Sequence, residues 1–311
     1  MSNKIHKRII FYRFFCINII LFFLIYHSNG QGCSDAGFCT INTFKPNSKK
    51  GTNVFKNQIK TGAFFGRADN SISVFGNYVE YNRQLSKQLE LDAKITSLAQ
   101  NGNGISVYGL SDFFINANYK ASESVKFTFG AKLPLSKANQ TYENLPLPMD
   151  YQSSLGTLDL IFGIAYEIKK IQFVAAVQQP LTQNDNQFIA SNYPVNSKLS
   201  AFQSTNKFQR SGDILVRVSY PVKIQSKITV TPSLLPIYHL ANDKYTDESN
   251  IFKEIKGSQG MTVNGNLYLD YALNNKQKIQ FNLAMPFVVR TARPDGLTRS
   301  IIASLEYLIS F

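Results

Sequence analysis

Histidine and cysteine are the scarce reactive residues in this chain of 311 residues, which holds three of each. His6 and His27 fall in a leader-like segment, so His239 is the one imidazole of the remaining chain. A hydrolase needs a base within hydrogen-bond reach of its nucleophile. Two positions after His239, the next place on the same face of a strand, stands Ala241 and no hydroxyl. His27-Ser28 offers such a pair only inside the leader. There is no His-x-x-x-His, Cys-x-x-Cys, P-loop or dinucleotide fingerprint. The expectation is no catalytic residue, no metal, no cofactor and no enzyme activity, with His239 a polar strand-end residue. A lipid hydrolase is the remote alternative, and it would make His239 essential.

The leader itself is legible. Lys4, Lys7, Arg8 and Arg13 precede the apolar run Phe14 to Tyr26, and small polar residues follow to Gly30. This order describes a signal peptide over 1–30; a retained anchor would have a core too short to span comfortably. Cys16 leaves with it, and Cys33 and Cys39 remain as an even pair, read as a disulfide in an exported protein. Closing so small a loop contributes only ~2 kcal/mol. The competing reading is a lipidated Cys33, although Gly30-Gln31-Gly32 lacks the usual large aliphatic residue.

The formal charge of +13 falls to +9 without the leader. Many of the lysines, including Lys87, Lys169, Lys170, Lys223 and Lys276, fall in short turns, with Lys45, Lys49 and Lys50 in the amino-terminal segment. They form solvated turns or meet anionic headgroups. No interleaving of aromatics and cations suggests a nucleic-acid groove.

These residues must be positioned by strands. After Lys50 a period of two recurs: Leu89, Leu91, Ala93 and Ile95 interleave with Glu90, Asp92 and Lys94, and Phe113, Ile115, Ala117 and Tyr119 with Asp112, Asn116 and Asn118. Strands are expected at 56–67, 71–84, 88–99, 105–120, 124–135, 155–168, 171–180, 211–221, 226–240, 259–274, 277–290 and 298–311. Several are longer than soluble strands and match the ~9–11 residues of a tilted membrane strand. Short connections follow the even strands, while long ones (136–154, 181–210, 241–258) lie on the other edge. An even strand count with one-sided loops describes an all-β, antiparallel up-and-down transmembrane β-barrel of about 12 strands over 55–311. A soluble β-sandwich would have shorter strands and less one-sided loops. No apolar run after the leader approaches the ~18 residues of a membrane helix.

The chain ends on one apolar row, Ile301, Ala303, Leu305, Tyr307, Ile309 and Phe311. A final amphipathic strand with Tyr307, Ile309 and a terminal Phe311 resembles the sorting signal read by the outer-membrane barrel assembly machinery. As the edge of a soluble sheet it would invite self-association.

Gly109-Leu110-Ser111-Asp112, Phe129-Gly130-Ala131-Lys132-Leu133-Pro134, Gly156-Thr157-Leu158-Asp159 and Gly212-Asp213 resemble strand motifs of the outer-membrane proteins associated with meta-cleavage phenol degradation, within a transporter-like barrel group. The likeness covers roughly 105–240. The start Gly32-Cys33-Ser34-Asp35 resembles exported proteins of Bacteroidetes-type bacteria. The resemblance implies a passive outer-membrane channel or uptake protein for small, apolar or aromatic molecules, in contact with outer-membrane lipids. A structural or adhesive barrel with partner-binding loops is the alternative.

The remaining candidates are polar residues expected to face the lumen: Asp112, Asn116, Lys120, Asp159, Glu167, Asp213, Arg217, Asp270 and Glu306. Buried charges must pair, and Arg217 with Asp213 or Glu167 is one expected pairing. Residues 31–54 are expected below or inside the bore, as a periplasmic spacer or a plug. Tyr142, Tyr151, Phe188, Tyr193, Phe202 and Phe208 sit in the long loops, as a capture surface or as loop packing.

Overall fold

Alternation decides the architecture, because a strand with one apolar and one polar face must choose which face meets which environment. The computed structural model describes residues 41–46, 55–296 and 300–311; the leader and the Cys33–Cys39 pair lie outside the described residues. Twelve long strands form the wall: β1 (Asn57–Arg67), β2 (Ser73–Gln84), β3 (Leu89–Gly102), β4 (Ile105–Lys120), β5 (Val125–Pro134), β6 (Asp159–Ile168), β7 (Ile171–Pro180), β8 (Asp213–Ser219), β9 (Ile228–His239), β10 (Gly260–Ala272), β11 (Gln277–Val288) and β12 (Ile301–Ser310). Each pairs antiparallel with its neighbours in the chain, and β12 pairs with β1 from Gln58↔Ser310 to Arg67↔Ile301. The barrel is closed and has no free edge.

All twelve expected strands are present, with ends displaced by a few residues. β8 is shorter than 211–221 because Pro221 has no amide donor; the ladder resumes as the short stretch Val222–Lys223 against Val230 and Thr229. The long connections carry small structure that periodicity did not reveal. Thr141–Tyr142 pairs with Leu145–Pro146, and Lys244–Thr246 pairs with Phe252–Glu254.

The apolar rows look outward. Phe75, Val79, Leu91, Ile95, Ile115, Phe129, Phe162, Val216, Leu267 and Leu305 are exposed, while the intervening Glu80, Asp92, Asn116, Thr128 and Glu306 are buried inside. Such an exterior is costly in water and natural in hydrocarbon. Tyr81, Tyr119, Tyr166, Tyr220, Tyr271 and Tyr307, one for each strand running toward the short turns, ring the outside at that end. Tyrosine has an apolar ring and a polar tip, which suits an aromatic girdle at a membrane interface. Tyr307 and Phe311 of the terminal motif project outward with this row, and Ile309 shares their parity. No helix among the described residues is long and apolar enough to cross a membrane, a statement that does not bear on strands.

Candidate functional site: the bore

The inside of the barrel has two unlike faces. On β12 and β1–β4 charged and amide-bearing side chains point inward at Glu306, Lys60, Glu80, Asn82, Asp92, Lys94, Asn116 and Asn118, among apolar ones such as Ile302, Val74 and Leu98. Lys60 Nζ lies 3.3 Å from Glu80 and 3.9 Å from Glu306. Asp92 accepts from Asn116 Nδ2 at 2.8 Å and Asn118 Nδ2 at 2.6 Å, and Lys94 Nζ lies over the ring of Tyr78 at 4.4 Å. Each of these charges is at most 4% exposed, so pairing is what makes their burial tolerable. On β4 and β6–β9 the inward positions Phe114, Ile161, Val174, Ala176, Leu215, Leu235 and Ile237 form one apolar surface.

Residues 41–46 lie between the two faces. Phe44 packs into the apolar surface, where Gly163 gives it room; a Cβ there would overlap the ring. Lys45 ion-pairs with Glu306, Asn42 Oδ1 accepts from Lys60 Nζ at 2.8 Å, and the Phe44 carbonyl accepts from Arg217. The short turn Asn42–Phe44 is entirely buried, so this piece of chain fills the middle of the bore.

The end with the long loops is also covered. Asn186 ties two of them together: Nδ2 donates to the Ala138 and Leu147 carbonyls, both at 2.9 Å, and Oδ1 accepts from Thr205 Oγ1 at 2.7 Å. Tyr151 donates to the Gly102 carbonyl at 2.9 Å. Tyr151, Phe188, Tyr193, Phe202 and Phe208 are buried and hold the loops together, whereas Tyr142 and Phe252 are exposed. Asp150, buried beside Asp69 and Asp295, has its pKa pushed up to about 7, chiefly by burial.

At the rim beneath these loops is a charge cluster. His239 Nδ1 meets Asp213 Oδ1 at 2.7 Å and Nε2 meets Asp243 Oδ1 at 2.8 Å. Carboxylates on both nitrogens require both to carry hydrogen, which is the imidazolium form. Arg210 pairs with Asp213, and Arg290 with Asp295 at 2.8 Å. Burial alone would raise Asp295, but Arg290 and Arg210 outweigh it and hold the carboxyl below its usual range. Three cations and three anions from three loops and two strands balance here. His239 is therefore a strand-end residue, as expected, but it is a structural member of this cluster and is not flanked by a serine nucleophile.

The lumen candidates divide as follows. Asp112 accepts from Ser111 and Ser154 at 2.8 and 2.7 Å, and Asp159 pairs with Lys132 at 2.8 Å with neither side chain exposed. Asp270 meets Gln280 at 2.7 Å and Lys278 at 3.1 Å. Asn116 and Glu306 belong to the charged face, and Arg217 lies 6.0 Å from the Tyr268 ring centre. Arg217 binds the amino-terminal segment, while Asp213 uses its oxygens on Arg210 and His239. Two candidates sit apart: Lys120 bridges to Glu123 at the short-turn end, and Glu167 lines a small cavity there of about 70 Å³ with Lys126 and Phe44. Lys45, Lys60, Glu80, Lys94 and Lys132 were not singled out from sequence, although strand parity places the last four inside. The apolar face was missed too. Its signal is the unbroken runs Leu160 to Ile164 and Ile214 to Val216, which are apolar on both faces of a strand.

No family model matches this chain, nor does any curated protein. Among solved structures, it is similar to an outer-membrane channel from Pseudomonas putida F1, with TM-score 0.60 and 11% identity over 86% of this chain and 99% of that one. It also aligns with the monoaromatic hydrocarbon channel CymD at TM-score 0.46 and 10% identity, covering 91% of this chain and 94% of that one. A Pseudomonas aeruginosa FadL homologue aligns at TM-score 0.41 and 10% identity, covering 91% and 100%. At these identities the first likeness establishes an outer-membrane barrel fold; the other two are too remote in shape to carry more. The narrower likeness to the phenol-degradation group rests on its short motifs alone.

Proposed function

We propose that this chain is a passive outer-membrane channel for small molecules, with the stretch around residues 41–46 as a plug, and that its solutes are small and apolar or aromatic. The observation that carries this reading is the two-faced bore with one short segment keyed to both faces. A purely structural barrel has no need of a continuous apolar surface inside. A small apolar solute needs one, because that surface repays its transfer from water. Opening requires Phe44 to leave that surface and Lys45 to leave Glu306. The driving force is a concentration gradient, since the sequence carries no nucleotide motif. Export by the leader, a Cys33–Cys39 disulfide and recognition of Tyr307, Ile309 and Phe311 by the assembly machinery belong to the same proposal.

Planar bilayers and liposome flux test it. Full-length protein is expected to conduct rarely, and protein lacking residues 31–54 to conduct steadily. Absence of conductance and flux from both refutes the passage role. One observation favours a second reading: the bore is filled and the long loops are packed together over it, as in a closed barrel whose outer surface binds a partner. That reading expects loss of function on loop deletion and none on substitution in the bore.

A further inference from the structure

The two ends of the barrel carry charge differently. In the long connections bases and acids nearly balance, and several are paired: Lys244 with Glu254, Lys253 with Asp247 at 2.7 Å and Arg293 with Asp69 at 2.7 Å. The short-turn end is almost wholly basic. Lys87 stands in the first turn, Lys169 and Lys170 in the third, Lys223 and Lys227 in the fourth and Lys276 in the fifth, with Lys56 just before β1, and all are exposed. Glu123, the acid of the second turn, is taken by Lys120 at 2.7 Å. Among the described residues none of the exposed lysines just named has an ion-pair partner.

Apolar side chains stand beside these cations. Leu85, Ile168 and Ile224 are 50%, 44% and 59% exposed, and they lie within two positions of Lys87, Lys169 and Lys223 respectively. Phe311, also exposed, lies next to Lys56, since its carbonyl accepts from Asn57 N at 3.0 Å. Lys276 leans over the Phe55 ring, with Nζ 5.3 Å from its centre. Turns in water favour small polar residues, where exposed leucine and isoleucine gain nothing. At a lipid–water interface the pairing is natural. The apolar side chain enters the acyl region, and the lysine stem runs along it while the ammonium stays among the headgroups.

Depth agrees with this setting. Lys169 and Lys223 lie three positions past Tyr166 and Tyr220 of the aromatic girdle. At ordinary strand rise and barrel tilt that is roughly 7–8 Å further out, comparable with the headgroup layer on each side of the hydrocarbon. Their distribution then selects the partner. A folded acidic protein would take one sector of the rim, whereas these cations recur from the first strand through four of the five turns.

We propose that the short-turn rim binds anionic phospholipids of the periplasmic leaflet, with lysine ammoniums on the phosphates and the apolar neighbours against the acyl chains. A zwitterionic lipid brings its own cation, which offsets the attraction; a lipid with net negative charge does not. The attraction is greatest where no protein carboxylate competes for the lysine, which is the condition at this rim. The inference does not depend on what passes through the bore.

The chain has no tryptophan, so a single introduced one reports its own lipid neighbours through quenching by brominated acyl chains. Leu85→Trp reads the short-turn end, and Leu110→Trp, at an exposed position of β4 near the long loops, reads the other. Both full-length proteins are reconstituted in phosphatidylcholine vesicles containing brominated phosphatidylglycerol or brominated phosphatidylcholine. At Leu85→Trp the anionic lipid is expected to compete about threefold better or more, and at Leu110→Trp the two lipids are expected to quench alike. Adding Lys56→Gln/Lys87→Gln to the first reporter, or raising salt to about 0.5 M, should return the ratio to near one. Equal quenching by both lipids at both ends overturns the proposal, and a rim that serves an acidic protein would give that result. A preference at Leu85→Trp that survives both the double substitution and the salt overturns it as well.

Discussion

Glu306→Gln removes the anion that the plug depends on. Glu306 is 4% exposed and pairs with Lys45, and it lies 3.9 Å from Lys60. Lys60 keeps Glu80 at 3.3 Å and Asn42 at 2.8 Å, whereas Lys45 is left with the Tyr78 hydroxyl at 3.4 Å. The loss therefore falls mainly on Lys45. Breaking a buried pair from one side costs ~3–5 kcal/mol. Part of this weakens the barrel itself, and the Arg217–Phe44 and Lys60–Asn42 bonds still hold the segment. If ~1.4–2.8 kcal/mol falls on seating, the unseated population rises about 10- to 100-fold. Single-channel recording reads this as open probability. Lys45→Met should have a similar effect, and the double variant should fall short of the sum, with a coupling of ~0.5–3 kcal/mol as for residues in contact. Both single variants keeping the parent open probability, in a protein that deletion of 31–54 does open, would refute the reasoning.

Three further outcomes follow from buried charge and the lipid face. Asp150 in the covering loops holds a pKa of about 7 against 3.8 ordinarily; the folded form retains the proton, so the associated stability is full below about pH 4 and lost as pH rises through about 7. Melting in detergent should thus fall from pH 5 to pH 8 with a component that Asp150→Asn abolishes, and equal pH slopes for the two proteins would contradict this. Lys132→Ala removes the ion-pair partner of buried Asp159, leaving it the Gln178 amide, and should cost ~3–5 kcal/mol in urea unfolding, while Lys132→Met/Asp159→Asn should cost less. Phe162→Arg on the outer face should cost ~2–4 kcal/mol on folding into vesicles, and a null effect would mean that this row does not meet lipid.

How legible the site was varied with its distance from the repeating pattern. Strand parity alone turns Asp112, Asn116, Asp159, Asp213, Arg217, Asp270 and Glu306 inward, where they are buried. Their partners were not found, since Glu306 meets Lys45 across 261 positions of chain and Arg217 meets Phe44 across 173. Lys120 and Glu167 have the right parity but sit too near the short turns to join the central network.

Sequence alone determined the wall: a period of two over twelve segments, with short turns on one edge, permits little besides a closed barrel with an apolar exterior. Only the tertiary structure decided what fills it. Alternation is local and fixes which way a side chain points, whereas the meeting of Phe44, Lys45, Arg217 and Glu306 depends on ring closure, which brings distant strands and the amino-terminal segment into one small volume.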